Sequence, residues 1–257
     1  MTKPIASTAP RDNRPAPGLV DLQQASLFLD FDGTLVGIAA HPGAVQVSDR
    51  LRGLLARLTT KFPGRVAIVS GRPIAELKQF LGSTALVFAG SHGVEMLWPD
   101  GTASEPPRPD DLGPVIQEMQ RLQKVHSAIV IERKPFGVAL HYRAEPQAED
   151  ACRRLATGLA KSTGLTLQSG KMVFELRAPG ADKGGALRTL LRTPAMAGSM
   201  PIFIGDDDTD EAAFVVAAEM GGFGILVGAD RPTAAHYRLD DVEATLAWLE
   251  TACGEDS

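Results

Sequence analysis

An α/β fold built on a parallel sheet, interrupted by an inserted α+β segment, is what this sequence of 257 residues predicts. Three observations lead there. Short apolar runs alternate with helical patterns up to about residue 105. A Pro-rich stretch, "EPPRPDD" (105–111), then introduces a different order, α-β-β-α-β-β. After the Gly-rich "APGADKGG" (178–185) the α/β alternation resumes. The simplest architecture is a core from two chain segments, 21–105 and 180–257, with a smaller α/β domain, 106–179, inserted between them.

The elements follow in order. "SLFLDF" (26–31) is a short apolar run of the kind buried parallel strands carry. "SDRLRGLLARLTT" (48–60) places Leu51, Leu54, Leu55 and Leu58 at helical spacing behind a Ser48 or Asp49 cap. "RVAIVSG" (65–71) reads as a strand, "PIAELKQFL" (73–81) as a helix with Pro in its first turn, and "ALVFAG" (85–90) as a third strand. "VEMLWPDGTAS" (94–104) reads as a hairpin around Asp100-Gly101. The insert predicts a helix at 112–125, strands "AIVIER" and "GVALHYR", a helix at 146–161, and strands "LTLQS" and "KMVFELR". The second core segment predicts a helix at 184–192, strand "PIFIGD" (201–206), a helix at 210–219, strand "GILVG" (224–228) and a helix at 241–252. Residues 1–20, rich in Pro, Ala and polar residues, read as a mobile tail.

Composition narrows the function classes. Apolar residues make up 44% and charged residues 22%, which suits a packed globule. The net charge of −5, with no dense Lys/Arg block, argues against nucleic acid or an anionic membrane as partner. Cys152 and Cys253 form no framework or zinc motif, so a reducing, cytoplasmic setting is expected. No apolar run has the length of a membrane span, and the N-terminus lacks the apolar core of a signal peptide. A monomer is expected.

Ligands of open parallel sheets bind at the carboxyl ends of the strands. Here those ends carry Asp30-Phe31-Asp32-Gly33-Thr34, Ser70-Gly71-Arg72 and "GDDDTDE" (205–211), with Lys183 opening a helix. Two like charges about 4 Å apart repel by roughly 4 kcal/mol at an effective dielectric of 20. Such a cluster therefore needs a cation. Oxygen ligands without His or Cys suit a hard ion, and Mg2+ is the usual one beside phosphate. Asp30 at the strand end can serve as nucleophile to phosphorus. Asp32, two residues on, can project to the same side as general acid/base. Gly33 allows a sharp turn whose amides can cup an anion, Thr34 helps shape it, and Ser70 and Lys183 suit phosphate holding. Bland readings stand beside these. Asp210 and Glu211 favour a helix N-terminus, Arg72 beside Pro73 reads as a surface residue, Glu132 and Lys134 as an exposed strand face, and His92 as a turn residue.

"DFDGT" (30–34), Ser70, Lys183 and "GDDDTD" (205–210) resemble the four motifs of the haloacid dehalogenase (HAD) superfamily. "IVSGR", "GSHGVE", "KPFGVALHYR", "QSGKMVFELR" and "DKGGAL" resemble, within it, the trehalose-6-phosphate phosphatase family, over about residues 26–250. The resemblance implies a Rossmann-like HAD core, a C2-type α+β cap that closes over the sugar, and Mg2+-dependent hydrolysis of a sugar phosphate. It implies an aspartyl-phosphate on Asp30, with Asp32 as general acid/base. Mg2+ would be held by Asp30, the carbonyl of Asp32, and Asp206, with Asp207 or Asp210 in support. The phosphate-binding set would be Gly33, Thr34, Ser70, Gly71, Arg72 and Lys183. Glu132, Lys134 and Glu175 would grip the sugar hydroxyls; Glu95, His141, Arg143 and Lys171 lie in the same motifs. Asp208 is assigned no role.

Two other readings keep the core motifs. A sucrose-phosphate or mannosylglycerate-phosphate phosphatase would share the core and differ in the cap. A phospho-acceptor or phosphosugar-sensing module would need no turnover. Receiver domains, however, lack the second Asp of "DFD" and the insert.

Overall fold

The computed structural model describes residues 14–18, 22–39, 42–82, 85–104, 112–134, 136–177 and 182–254. The chain runs through β1 (Ala25–Leu29), α1 (Asp49–Lys61), β2 (Val66–Val69), α2 (Ile74–Leu81), β3 (Val87–Gly90), β4 (Glu95–Leu97) and β5 (Ala103–Ser104). It continues with α3 (Gly113–Gln123), β6 (Val130–Lys134), β7 (Gly137–His141), α4 (Glu149–Thr163), β8 (Thr166–Gly170) and β9 (Val173–Arg177). It ends with α5 (Lys183–Leu190), β10 (Met200–Gly205), α6 (Glu211–Glu219), β11 (Phe223–Val227), β12 (Tyr237–Leu239) and α7 (Val242–Cys253).

The first sheet has the order β12-β11-β10-β1-β2-β3-β4-β5, parallel from β12 to β3 and antiparallel through the β4–β5 hairpin. Its inner strands β11, β10, β1, β2 and β3 are buried almost throughout because both faces are covered. Leu27 and Leu29 of β1 pack into the cluster with Leu51, Leu54 and Leu58 of α1 and Leu249 of α7. Phe28, pointing the other way, packs with Leu187 of α5 and Phe214 of α6. Ser48 caps α1 by accepting from the Leu51 amide (3.2 Å), as its position before the apolar stripe leads one to expect. From β1 the chain builds outward to β2 and β3 on one side and, later, to β10, β11 and β12 on the other. The strand order thus reverses between β1 and β10, and the loops leaving their carboxyl ends diverge there. That is where an open α/β sheet offers a crevice.

The second sheet, order β6-β7-β9-β8, is wholly antiparallel. Val138, Leu140, Phe174 and Leu176 face α3 and α4, joining Ile116, Met119, Cys152 and Ala156 in a core of their own. The alternate residues line the opposite face.

Two features differ from the sequence reading. β12 was not foreseen: it is three residues, Tyr237–Leu239, paired to β11. Residues 14–18, expected in a mobile tail, are packed. The Arg238 amide donates to Pro15 O (3.2 Å), the Trp248 indole to Pro17 O (3.1 Å), and Arg14 donates to Ala235 O (3.1 Å) and pairs with Asp230. An edge strand with free backbone groups offers such a segment its hydrogen bonds. The rest of the expected tail, the linker 105–111 and the start of the 178–185 stretch lie outside the described residues. No described helix is long and apolar enough to cross a membrane.

Candidate active site

β1 ends at Leu29, one residue before Asp30, and β10 ends at Gly205, one before Asp206. Because Leu29 pairs with Ile204 in parallel register, Asp30 falls level with Gly205, and Asp206 leaves the neighbouring strand one residue further on. β2 flanks β1 on the other side and delivers Ser70. The turn after Asp32 is close-packed. Gly33 has φ +84°, and a Cβ there would lie 2.3 Å from an Asp206 carboxylate oxygen, so both backbone and space demand glycine. The Gly33 amide, expected to help cup an anion, is bonded within the turn to Val36 O (2.7 Å). It is therefore not free for phosphate. Thr34 is fully buried, its hydroxyl without a hydrogen-bond partner. Gly71 leaves room for the His92 ring, which a Cβ would approach to 2.7 Å.

Lys183 is the first residue of α5, whose N-cap Asp182 accepts from the Gly185 amide (2.7 Å). A lysine there opposes the helix dipole. The opposition is outweighed locally: Lys183 Nζ, buried, donates to Asp30 Oδ1 (2.7 Å) and Asp210 Oδ1 (2.6 Å). Burial works against the ammonium, but Asp210 and Asp30 hold it charged, above its ordinary range. Asp30 is driven the other way. Burial pushes its carboxyl well above the usual value, Lys183 pulls it back, and Asp210 and Asp206 push it further up. Asp206 is also raised, by burial first, against the pull of Lys171, whose Nζ lies 3.2 Å away.

Asp207 was expected as a metal ligand, with Asp210 as the other choice. The structure reverses that order. Asp207 caps a short 3-10 turn (Asp208–Asp210), its carboxylate accepting from the Asp208 amide (2.7 Å), while Asp210 Oδ2 accepts from the Asp207 amide (2.9 Å). The turn carries Asp210 inward to full burial. Gly205 makes way for it, since a Cβ there would stand 2.3 Å from its carboxyl carbon. Asp208 stays outside, 3.3 Å from Arg231.

Arg72 was expected either to bind phosphate or to sit on the surface. It is not a surface residue: its side chain is largely buried, and its Nε and Nη2 hold the two oxygens of Asp32 at 2.6 and 2.8 Å. Glu95, placed by its motif near the sugar, is also reassigned. It is buried and accepts from the Ile74 amide (3.1 Å) and the Ser91 hydroxyl (2.7 Å). Ile74 opens α2 behind Pro73, which has no side chain to cap it, so Glu95 satisfies a helix-end amide from another strand.

The open face of the second sheet completes the site. Glu132, Ala139, Glu175 and Gln168 stand in one row across β6, β7, β9 and β8. Lys134 stands in the row beside it and reaches Glu175 (2.6 Å), and Glu132 meets His141 (2.8 Å). Burial and the His141 and Lys134 contacts compete at Glu132, and the contacts win, lowering its carboxyl. Arg143 reaches Ala39 O and Lys171 O, both at 3.4 Å. Asp30, Asp32, Ser70, Lys183 and Asp206 from the first sheet share one cavity with Glu132, Lys134, His141 and Glu175 from the second. Two further lining residues carry no site assignment from the sequence: His92 reads there as a turn residue only, and Gln168 has no role. His92, at φ +60°, lies buried 3.8 Å from Glu175, and burial pushes its imidazole below the ordinary value. Gln168 accepts from Arg177 (3.1 Å). Gln168 opens the "QSGKMVFELR" motif, and the strand register places it beside Glu175.

Asp30, Asp206 and Asp210 each offer a carboxylate oxygen within 4.8 Å of the others, a group able to hold a divalent metal ion. The fit is chemical as well as spatial. The donors are all oxygen, and Lys183 is the buried cation among three buried carboxylates, leaving negative charge to compensate.

Comparison with known proteins agrees with this geometry. The Trehalose-phosphatase family model matches residues 28–243. The chain is 34% identical over 225 residues to the trehalose-6-phosphate phosphatase of Escherichia coli strain K12, covering 87% of this chain and 84% of that one. Among solved structures, the C-terminal domain of Candida albicans trehalose-6-phosphate phosphatase superposes with a TM-score of 0.83 at 22% identity, covering 95% and 99% of the two chains. A haloacid dehalogenase-like hydrolase from Bacteroides thetaiotaomicron superposes with a TM-score of 0.64 at 18% identity, covering 89% and 98%.

Proposed function

The chain belongs to the trehalose-phosphatase family, and on that premise we propose that it hydrolyses trehalose 6-phosphate to trehalose and phosphate, as a step of trehalose biosynthesis. The observation that carries the proposal is the shared cavity, in which strand-end carboxylates from one sheet face Glu132, Lys134 and Glu175 from the other.

Asp30 is the nucleophile. It stands at the sheet's crevice with Lys183 on one oxygen, leaving the other oxygen to attack phosphorus. As the P–O bond to the sugar breaks, Asp32 gives its proton to the leaving oxygen, and an aspartyl-phosphate remains on Asp30. Asp32 then takes a proton from water, whose oxygen attacks phosphorus. Phosphate leaves, Asp30 is regenerated, and Asp32 is protonated for the next turnover. Ser70 donates its hydroxyl to a phosphoryl oxygen. Lys183 opposes the burial that raises the Asp30 carboxyl and adds positive charge beside the transferred group. Mg2+ would be held by Asp30, the Asp32 carbonyl and Asp206, with Asp210 in place of Asp207. When bound it supplies charge neutralisation at the phosphoryl oxygens. On the second sheet, Glu132, Lys134 and Glu175, with His141 and Gln168 alongside, offer acceptors and donors for sugar hydroxyls. Lys171 and Arg143 close the cavity where that sheet meets Asp206 and Ala39.

Phosphate release with and without Mg2+ across trehalose, sucrose, mannosylglycerate and hexose phosphates tests the reading. Turnover of trehalose 6-phosphate should exceed the others and stop reversibly with a chelator. No preference over glucose 6-phosphate would overturn the substrate, and full activity in chelator would overturn the metal.

A further inference from the structure

Arg72 is built around Asp32 more closely than a residue awaiting phosphate would be. Its Nε and Nη2 each take one carboxylate oxygen, at 2.6 and 2.8 Å. A fork-on-fork pair of this kind fixes the plane of the carboxylate as well as its distance. The guanidinium is itself held on several sides. It lies over the rings of Phe80 and Phe31, at 5.1 and 5.8 Å to their centroids, and Nη1 takes Glu76 at 3.1 Å. Its side chain is 10% exposed, against 34% for that of Asp32. Phe31 lies between Asp30 and Asp32, so the ring that carries the guanidinium belongs to the turn that carries the acid. The backbone holds the arginine from below as well. Its amide donates to Ser70 Oγ (3.1 Å), and its carbonyl accepts from the Ser91 amide (2.9 Å). The more exposed carboxylate is thus clamped by the more buried cation.

We infer that Arg72 is a positioning residue for Asp32 and not a ligand of the phosphoryl group. It sets the height and plane from which Asp32 passes its proton to the leaving oxygen. The inference rests on the role given to Asp32 above. A lysine in its place would offer one point charge and no plane, so the geometry specifically requires the fork.

The test exploits the leaving group. A sugar alkoxide departs poorly without a proton, whereas 4-nitrophenolate departs readily without one. The ratio kcat/KM covers only the steps up to departure of the leaving group, which isolates the protonation. Arg72→Ala and Arg72→Lys should each lose about 100-fold in kcat/KM on trehalose 6-phosphate, the lower range of a general acid's contribution, and less than about threefold on 4-nitrophenyl phosphate. Inhibition by inorganic phosphate should be unchanged. Asp32→Asn is the reference and should show the same selectivity. Thermal melts of the Lys variant, which keeps the charge, separate misfolding from misplacement. Equal losses on both substrates, weakened inhibition by phosphate, or full rescue by lysine overturn the inference while leaving Asp32's role intact, provided Asp32→Asn is selective. If Asp32→Asn is itself unselective, the role of Asp32 falls and the inference falls with it.

Discussion

Glu175 ties stability to pH in a way that can be measured. Its carboxylate, on the open face of the second sheet, is buried, with Lys134 Nζ at 2.6 Å and His92 Nε2 at 3.8 Å. Burial alone would push the carboxyl up; the contacts with His92 and Lys134 outweigh it and hold the carboxyl at about 2, against an ordinary value of 4.5. At about 1.36 kcal/mol per pH unit, that difference makes the ionised form worth about 3 kcal/mol to folding. The direction follows from the depression. The unfolded chain takes up the proton first, so the contribution is complete above the ordinary value of 4.5 and is lost as pH falls from there towards 2. Glu175→Gln removes the titration and keeps the shape. Thermal unfolding of both proteins in chelator, from pH 6 down to 2.5, should show a gap of roughly 6–12 °C at the upper end, closing as the pH falls. A gap that does not change with pH, or a glutamine variant equally stable at pH 6, would refute the argument. The Lys134–Glu175 pair would then contribute nothing that a neutral amide does not.

Three further outcomes are expected. Asp30→Asn should abolish phosphate release, a loss of at least about 1000-fold, with an unchanged far-UV spectrum; residual turnover near the wild-type rate would mean another residue attacks phosphorus. Glu95→Ala should lower stability by about 1–3 kcal/mol by orphaning the buried Ile74 amide, while trehalose 6-phosphate kinetics at a permissive temperature stay within about twofold; a KM effect without a stability loss would return Glu95 to the sugar site. Arg14→Ala should cost about 0.5–1.5 kcal/mol in chemical denaturation, because part-buried acceptors in the 230–235 loop lose their donor, and an unchanged midpoint would show that residues 14–18 are not held as described.

The strands of the first sheet were legible because parallel strands covered on both faces must be apolar throughout, as "VAIV" and "FGILV" are. β12 was not, because Tyr237–Leu239 is too short for any pattern and owes its pairing to β11 and to the Pro15 carbonyl. Asp30, Asp206 and Lys183 could be read as a group because each sits next to the end of an element whose identity was plain. Asp207 against Asp210 could not be decided in the same way. A 3-10 turn brings positions i and i+3 over one another, and only the capping box shows which of them faces inward. Glu95 escaped because the amide it caps lies 21 residues away in sequence. His92 escaped because its ring is aimed by a positive φ, which a histidine in a turn does not announce. Glu132 and Lys134 share a face by strand alternation alone, but their meeting with Glu175 depends on the order β6-β7-β9, a tertiary fact.

The way the sheets touch suits a site that must admit and release a phosphorylated sugar. Each apolar cluster belongs to one sheet: residues from Val115 to Leu176 form the core of the second, and the two clusters of the first sheet contain none of them. Across the cavity the described contacts are polar instead, with Lys171 on Asp206, His92 against Glu175 and Arg143 on the Ala39 carbonyl. Lys171 is 55% exposed along its side chain, and partly exposed charged contacts of this sort are each worth about 1 kcal/mol or less. Parting the two faces therefore costs little compared with unmaking either core. An apolar seam of similar extent would have to be stripped at each opening, at about 25 cal/mol per Å². The polar seam also places its groups where a substrate can replace them: a sugar hydroxyl can take over a partner of Glu175 or Lys134, and a phosphoryl oxygen can take over Lys171. Closing on a substrate would then exchange hydrogen bonds instead of creating buried, unpaired ones.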